Sequence, residues 1–283
     1  MSITTARRVA EQSFTAYQNL IGGKWQAASD GRTVDMVSPS DGQAFARIAR
    51  GTKADVDAAV KAARHAFEEG AWGKMTAVER GRLMTKLGEA ILANHEELSQ
   101  LEARDCGKPM KQARADITAA ARYFEYYGGA ADKYHGDTIP FLDGYMVTIL
   151  REPKGVTGHI IPWNYPAQMF GRSLAPALAM GNSVVMKPAE DACVTPVRMA
   201  QEVGFPPGAL NVVTGIGEED ALRAGLRERL RCGGRHRTAF WRREEERPWQ
   251  GKRPRGAARV FAYQDHRVQA RMSGRFERPA LSN

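Results

Sequence analysis

A chain of 283 residues is long enough to bury the core of one large domain or of two ordinary ones. Its formal net charge of +9 is unevenly distributed, because residues 1–220 hold 24 Lys and Arg against 26 Asp and Glu, whereas residues 221–283 hold 17 against 6. This asymmetry excludes a uniformly basic protein and confines any general affinity for polyanions to the last part of the chain.

Cysteine usage and hydropathy bound the class of protein further. The three cysteines lie far apart, with neither a CxxC spacing nor a nearby pair of histidines, so they indicate neither a disulfide framework nor a zinc site. Arg7 and Arg8 are not followed by an apolar run, and no stretch approaches the roughly 18 apolar residues of a membrane span. We therefore expect a cytoplasmic protein with no metal centre and no membrane partner.

The first half of the chain predicts short strands followed by helices. Strands separated by Gly and Asp-Gly turns are predicted in YQNLIGGKW and VDMVSPSDGQAFARIARG. The first helix begins with a capping box formed by Thr52 and Asp55, and the second runs from Thr76 to a stop at Gly107. A third helix is predicted at about 111–134, where apolar residues recur at helical spacing.

From residue 145 onward the pattern becomes strand-like. YMVTIL and VTGHII are joined by REPKG, either as a hairpin or as a connection that crosses between sheets, and we expect a protruding β-hairpin at about 135–155. VTGHII, NSVVMK and LNVV then alternate with helices at about 167–180 and 195–203, which predicts a β-α-β-α-β unit. The predicted fold class is α/β, with N-terminal helices and an incomplete doubly wound, Rossmann-like parallel sheet.

The loop GHIIPWNYPAQM follows the first strand of this unit, where ligands bind in open α/β sheets. Pro162 and Pro166 stiffen the loop because each fixes one φ angle. Asn164 could donate to a developing oxyanion, since its neutral amide brings no proton of its own to titrate. The alternative is structural, with Asn164 as a turn residue and Trp163 as a core anchor, and the motif alone favours that alternative.

Two further loops follow the next two strands. In VVMKPAED, Lys187 could reach a ribose or a phosphate, and Glu190 could accept from ribose hydroxyls and repel a 2′-phosphate. The alternative is a solvated loop with an acidic helix start. In VVTGIG, Gly215 and Gly217 could cradle phosphate, although two glycines alone are weak evidence. The three segments all follow strands of one predicted sheet.

Residues from about Tyr17 to Glu219 resemble the N-terminal portion of the NAD(P)-dependent aldehyde dehydrogenase superfamily. The resemblance rests on LIGGKW, SPSDGQAFARIA, DCGKP, REPKGVTGHIIPWNYP, LAPALAMGNSVVMKP and GFPPGALNVVTGIG, in that order. It implies that Asn164 stabilises an oxyanion and that Glu190 favours NAD over NADP. It also implies seven cofactor-binding residues: Ile161, Pro162, Trp163, Lys187, Glu190, Gly215 and Gly217.

The resemblance further implies oxidation of a small-molecule aldehyde to a carboxylic acid. In that family a cysteine thiolate attacks the aldehyde, hydride passes to the nicotinamide, and a glutamate activates water. The family's Gly-Gln-x-Cys, Glu-Leu-Gly-Gly-Lys and Phe-Thr-Gly-Ser segments do not occur here, and Cys106, Cys193 and Cys232 stand in other contexts. We therefore expect this chain to be inactive alone, and a family-like homo-oligomer is doubtful. We also expect the strand at Leu210 to be an uncovered sheet edge.

The resemblance stops after Glu219, which predicts a cofactor-binding domain at 1–219 and a separate segment at 220–283. That segment is rich in Arg and poor in large apolar residues, so we expect it to be disordered. A reading-frame error, an Arg-rich nucleic-acid arm and a divergent folded cap are three explanations, and the abrupt switch inside a motif favours the first. A noncatalytic nucleotide-binding or scaffold protein is one alternative, and nucleic-acid binding through the Arg-rich tail is a second. Nucleic acid is the less favoured partner.

Overall fold

The computed structural model describes residues 15–140, 147–189 and 197–216. The segment 220–283, for which the sequence predicts disorder, lies outside the described residues. Within the described ranges, no helix is both long enough and apolar enough to cross a membrane. The same ranges hold ten strands and seven helices, numbered below in chain order.

The strands are short, and the helices lie mainly between the fifth and sixth strands and between the last three. The strands are β1 Thr15–Tyr17, β2 Asn19–Ile21, β3 Lys24–Gln26, β4 Thr33–Val37, β5 Ala44–Ala49, β6 Asp137–Ile139, β7 Val147–Ile149, β8 Val156–Ile160, β9 Ser183–Lys187 and β10 Leu210–Val212. The helices are α1 Lys53–Glu68, α2 Ala71–Lys74, α3 Ala77–Ala93, α4 His95–Cys106, α5 Met110–Ala130, α6 Pro166–Ala179 and α7 Val197–Glu202.

The predicted β-α-β-α-β unit is confirmed. Strands β8, β9 and β10 pair in parallel, α6 connects β8 to β9, and α7 lies between β9 and β10. The five-stranded sheet has the order β3-β2-β10-β9-β8, and β1, β5 and β4 form a second sheet. A sheet of this kind, with helices between its parallel strands, is the predicted α/β, Rossmann-like class.

The predicted hairpin is the two-stranded ribbon of β6 and β7, which pair antiparallel from Asp137 with Ile149 to Ile139 with Val147. The segment REPKG leads from this ribbon to β8, which belongs to the five-stranded sheet. Of the two alternatives for REPKG, the structure has the connection that crosses between sheets.

The first helix begins as its capping box predicts, because the Asp55 carboxylate accepts from the Thr52 backbone N–H at 2.7 Å. The prediction of one long second helix is wrong, since α3 and α4 are separated at Asn94. The Asn94 side chain donates to the carbonyl of Ala90 at 2.9 Å and its backbone leaves helical geometry. The predicted stop at Gly107 is confirmed, with φ of 65° in the left-handed region that favours glycine.

Helices pack on both faces of the five-stranded sheet. On one face, α3, α5 and α6 form the main core, in which the Phe124 and Phe170 rings lie 5.4 Å apart. α3 and α5 approach closely enough that a Cβ at Gly81 would lie 2.5 Å from the carbonyl oxygen of Gly128. On the opposite face, α1 packs against Val185 of β9 among the residues of a second apolar cluster. Coverage of both faces is what makes the sheet doubly wound.

The expectation that the strand at Leu210 is a sheet edge is wrong. Strand β2 pairs antiparallel with β10, with Leu20 opposite Val212, so β10 has a neighbour on each side. Asn211 reinforces this junction, because its Oδ1 accepts from the Gly22 N–H at 2.9 Å and its amide nitrogen donates to two carbonyls. The edge strands of the described sheet are β3 and β8, and the residues of β8 are half-buried where those of β9 are buried.

Replacing Asn211 with alanine is expected to destabilise the domain by about 3 kcal/mol, because the Gly22 N–H and the carbonyls of Val184 and Gly208 each lose a hydrogen bond to its side chain. The measurement is the urea midpoint followed by circular dichroism. Gln18→Ala, at an exposed position one residue before β2, is the matched control and should leave the midpoint unchanged. An equal midpoint for both variants would show that β2 does not depend on this junction.

Candidate functional site

The carboxyl ends of the three parallel strands meet at one edge of the sheet. Ile160 is paired with Lys187, and the N–H of Ile161 continues the ladder by donating to the Lys187 carbonyl at 2.9 Å. Val213 likewise donates to the Met186 carbonyl at 2.9 Å. The loops that follow β8, β9 and β10 therefore leave the sheet side by side, which is where ligands bind in open α/β folds.

The loop after β8 presents polar and aromatic groups outward. Ile161 is buried and anchors the loop, whereas Trp163 is 60% exposed and Asn164 is also exposed. The alternative in which Trp163 is a core anchor is therefore wrong. Pro166 is the first residue of α6, where its missing N–H costs nothing, and Tyr165 accepts from Met169 to start that helix. The exposed amide of Asn164 is available to a ligand at this edge.

The other two loops bring the predicted residues to the same edge. Lys187 is the last residue of β9 and only 5% exposed, and the structure brings it next to the start of the Ile161 loop. Gly215 has φ of 144°, a conformation that residues with a Cβ rarely adopt. Glu190 and Gly217 lie outside the described residues. Ile161, Asn164, Lys187 and Gly215 therefore lie at or just after the ends of neighbouring strands.

The turn after β10 is held by the second sheet. Thr214 accepts from the Gly51 N–H at 2.9 Å through its carbonyl and donates to the Ala49 carbonyl at 2.7 Å through its hydroxyl. A Cβ at Gly51 would lie 2.6 Å from the Thr214 carbonyl oxygen, so this approach requires glycine. The residue that precedes Gly215 is thus held by two hydrogen bonds, one to Gly51 and one to Ala49.

The structure has a buried ionic cluster beside the Trp163–Asn164 loop that the sequence analysis did not predict. Lys108 Nζ lies 2.8 Å from Glu102 Oε1 and 2.9 Å from Asp116 Oδ2. The lysine side chain is 10% exposed and the two carboxylate side chains 0% and 1%. The sequence does hold an indication of it, because Glu102 and Asp116 fall at helical spacing with the buried residues of α4 and α5, where an unpaired carboxylate would be costly.

Burial and mutual charge set the protonation of this cluster. Burial raises the pKa of Glu102, and the hydrogen bond from Lys108 offsets this only in part. Burial acts to lower the pKa of Lys108, but its hydrogen bonds to Glu102 and Asp116 outweigh that effect, so the pKa is raised. Lys108 is therefore a cation at neutral pH, and this single ammonium bonds to two buried acidic side chains.

Cys106 lies beside this cluster and has the properties of an inert thiol. Burial, reinforced by the charge of Glu102, raises its pKa from 9.0 to about 12. Its Sγ donates to the carbonyl of Trp163 at 3.4 Å. A protonated thiol that bonds to backbone is a poor nucleophile. Cys193 and Cys232 lie outside the described residues.

Comparisons with known proteins place this arrangement in context. Residues 25–223 match the model of the aldehyde dehydrogenase family. Aldehyde dehydrogenase family 2 member B4, mitochondrial, of Arabidopsis thaliana is 45% identical over 204 residues, which is 71% of this chain and 38% of that protein. Hydroxyisobutyraldehyde dehydrogenase of Mycolicibacterium austroafricanum is 45% identical over 202 residues, covering 70% of this chain and 40% of that protein. The chain thus spans about two fifths of the length of these curated relatives.

Solved structures show the same architecture. The NAD+ complex of an aldehyde dehydrogenase from Bacillus cereus has a TM-score of 0.72 and 37% identity, covering 80% of this chain and 46% of that one. An NAD-dependent aldehyde dehydrogenase from Sinorhizobium meliloti has a TM-score of 0.70 and 38% identity, covering 73% and 42%. The sequence identities of both structures are high enough to indicate a family relationship and not only a shared fold.

The environment of Cys106 predicts slow alkylation in the folded protein. With the pKa raised from 9.0 to about 12, the thiolate fraction at a fixed lower pH falls about 1000-fold, and the greater nucleophilicity of the more basic thiolate recovers about 20-fold of this. The rate with iodoacetamide at about pH 8 should therefore be on the order of 50-fold below that of the urea-unfolded chain. The measurement uses a Cys193→Ser, Cys232→Ser chain. A native rate equal to the unfolded rate would contradict the assignment and restore Cys106 as a candidate nucleophile.

Proposed function

Because the chain belongs to the aldehyde dehydrogenase family, we propose that it provides the NAD-binding portion of an enzyme that oxidises an aldehyde to a carboxylic acid. The observation that carries this proposal is the meeting of the Ile161–Asn164 loop, Lys187 and Gly215 at one edge of the parallel sheet. The Bacillus cereus relative was solved with NAD+, which supports NAD as the cofactor.

The residues at this edge fit a dinucleotide. An ammonium at a strand end suits the hydroxyls and phosphates of a nucleotide, and Lys187 supplies one. Trp163 offers an exposed aromatic face and Ile161 a buried apolar support beside it. When bound, NAD supplies the acceptor for the hydride that the aldehyde carbon loses.

The preference for NAD over NADP is assigned to Glu190. A carboxylate that accepts from the ribose hydroxyls repels a 2′-phosphate, and we propose that Glu190 acts in this way together with Lys187. Pro162 contributes stiffness to the loop, and Gly217 completes the phosphate turn that Gly215 begins. Glu190 and Gly217 enter through the family resemblance alone.

Asn164 has the role of an oxyanion donor in this proposal. Its amide is exposed at the edge of the sheet, so it can donate to an oxygen whose charge develops when a nucleophile adds to an aldehyde. The amide stays neutral and keeps this capacity across the physiological pH range. Its contribution is stabilisation of charge rather than transfer of a proton.

We further propose that this polypeptide does not complete the reaction on its own. The Gly-Gln-x-Cys and Glu-Leu-Gly-Gly-Lys segments, which hold the nucleophile and the general base in the family, do not occur in its sequence. Cys106 does not replace the nucleophile, since its pKa is raised to about 12 and its thiol bonds to backbone. The functional domain is 1–219, and the Arg-rich segment 220–283 is a separate region.

Cofactor binding is the direct test of this function. Calorimetry with the full chain should show binding of NAD and weaker binding of NADP. Lys187→Ala should weaken NAD binding roughly tenfold, the effect of losing about 1.4 kcal/mol of binding free energy. Lys86→Ala, at an exposed position of α3 away from the strand ends, is the control and should bind as the parent does. Equal affinity for all three chains would place the nucleotide elsewhere.

Turnover is expected to be absent even where NAD binds. Incubation of the purified chain with NAD and a panel of aliphatic and aromatic aldehydes should produce no aldehyde-dependent rise in NADH absorbance. A rise that Asn164→Ala abolishes would refute the proposed inactivity while supporting the role of Asn164. NAD binding without turnover is also what a noncatalytic nucleotide-binding protein would give. In that case, a loss of affinity in Lys187→Ala would still show where the nucleotide binds, although this polypeptide alone would not catalyse the reaction.

A further inference from the structure

Residues at the end of α4 and in the turn after it form hydrogen bonds with the backbone of the Asn164 loop and of α6. Lys108 Nζ donates to the carbonyl of Asn164 at 3.2 Å, and Cys106 Sγ donates to the carbonyl of Trp163 at 3.4 Å. Glu102 Oε2 accepts from the Ala167 N–H at 3.3 Å, at the first turn of α6. Three contacts thus join residues 102–108 to the backbone of the loop and of the first turn of α6.

The ammonium of Lys108 is saturated by protein groups. A lysine has three N–H donors, and those of Lys108 reach Glu102, Asp116 and the Asn164 carbonyl at 2.8, 2.9 and 3.2 Å. The ammonium also lies 4.8 Å from the centre of the Tyr165 ring. Because no donor remains for a ligand, Lys108 acts on the loop rather than on a substrate.

The carboxylates hold the lysine in place. Glu102 uses one oxygen for Lys108 and the other for Ala167, and Asp116 uses one for Lys108 and the other for the Gln112 amide at 2.7 Å. Two buried acidic side chains share one lysine, and burying ionic groups in this way is an expensive arrangement when only stability is required. The geometry of the cluster suits the positioning of the loop, since the side-chain polar atoms of Lys108, Glu102 and Asp116 all bond to protein partners.

We propose that Lys108, held by Glu102 and Asp116, is a positioning residue that orients Asn164 at the cofactor edge. The proposal rests on the proposed function, because it assigns a purpose to the orientation of Asn164. Pro162 and Pro166 stiffen the ends of the loop, and the bond to the Asn164 carbonyl fixes the peptide between them. Lys108 and Cys106 thus hold the backbone of the loop, while Asn164 itself is exposed to solvent.

Two variants with a matched control test the proposal. Lys108→Met removes the donor but leaves two buried carboxylates. The triple variant Lys108→Met, Glu102→Gln, Asp116→Asn removes the donor together with the charges, so it keeps a foldable interior. Lys111→Met makes the same change at an exposed position three residues away and is the control. Each chain is measured by urea unfolding, by hydrogen exchange of the segment 163–169 and by calorimetry with NAD.

The expected result separates positioning from stability. The triple variant should unfold near the parent midpoint, yet exchange the Met169 N–H, which bonds to the Tyr165 carbonyl next to the Asn164 peptide, about tenfold faster. It should also bind NAD about tenfold more weakly, which corresponds to about 1.4 kcal/mol. Lys111→Met should match the parent in all three measurements. A triple variant that folds like the parent with unchanged exchange and unchanged NAD affinity would overturn the proposal. If the parent chain does not bind NAD, the proposed function fails, and the exchange measurement still decides whether Lys108 orders the loop.

Discussion

In-register pairing of three parallel strands is the constraint on which the rest of this domain depends. The alignment of β8, β9 and β10 brings three loops, which are far apart in sequence, to one edge of the sheet. Two of these loops have a support of their own: Ile161 bonds into the ladder, and Thr214 is tied to the second sheet. The chemistry of the edge follows from this alignment, because none of its side chains would be neighbours in a different register.

Local patterns in the sequence predicted the elements that local physics controls. The capping box at Thr52, the stop at Gly107 and the alternating strands and helices after residue 155 all depend on neighbours within a few residues. The sequence did not predict the break at Asn94, because the apolar periodicity of α3 continues into α4. The side chain of Asn94 bonds to the Ala90 carbonyl at the point where the helix is interrupted. Family resemblance, rather than periodicity, raised Asn164 and Lys187 from loop residues to site residues.

What the sequence did not predict depends on distant partners. The pairing of β2 with β10 joins residues that are 189 and 195 positions apart, as in the bonds from Gly22 to Asn211 and from Thr214 to Asn19. No local composition indicates such a partner. The cluster around Lys108 is similar, since its role emerges only when α4, α5 and the loop after β8 come together. Its local indication in the sequence is an acidic residue on the buried face of each helix.

The place of β2 beside β10 also determines the order in which the domain can fold during synthesis. Asn19 leaves the ribosome early, but its partner Thr214 emerges only after 195 more residues have been added. Until then, the short hairpin of β2 and β3 has no sheet to join, and such a hairpin has little stability in water. Closing so long a loop is slow compared with forming the helices between its ends. The β2–β3 hairpin is therefore among the last elements to reach its native partner, because the five-stranded sheet cannot be completed until β10 has been made.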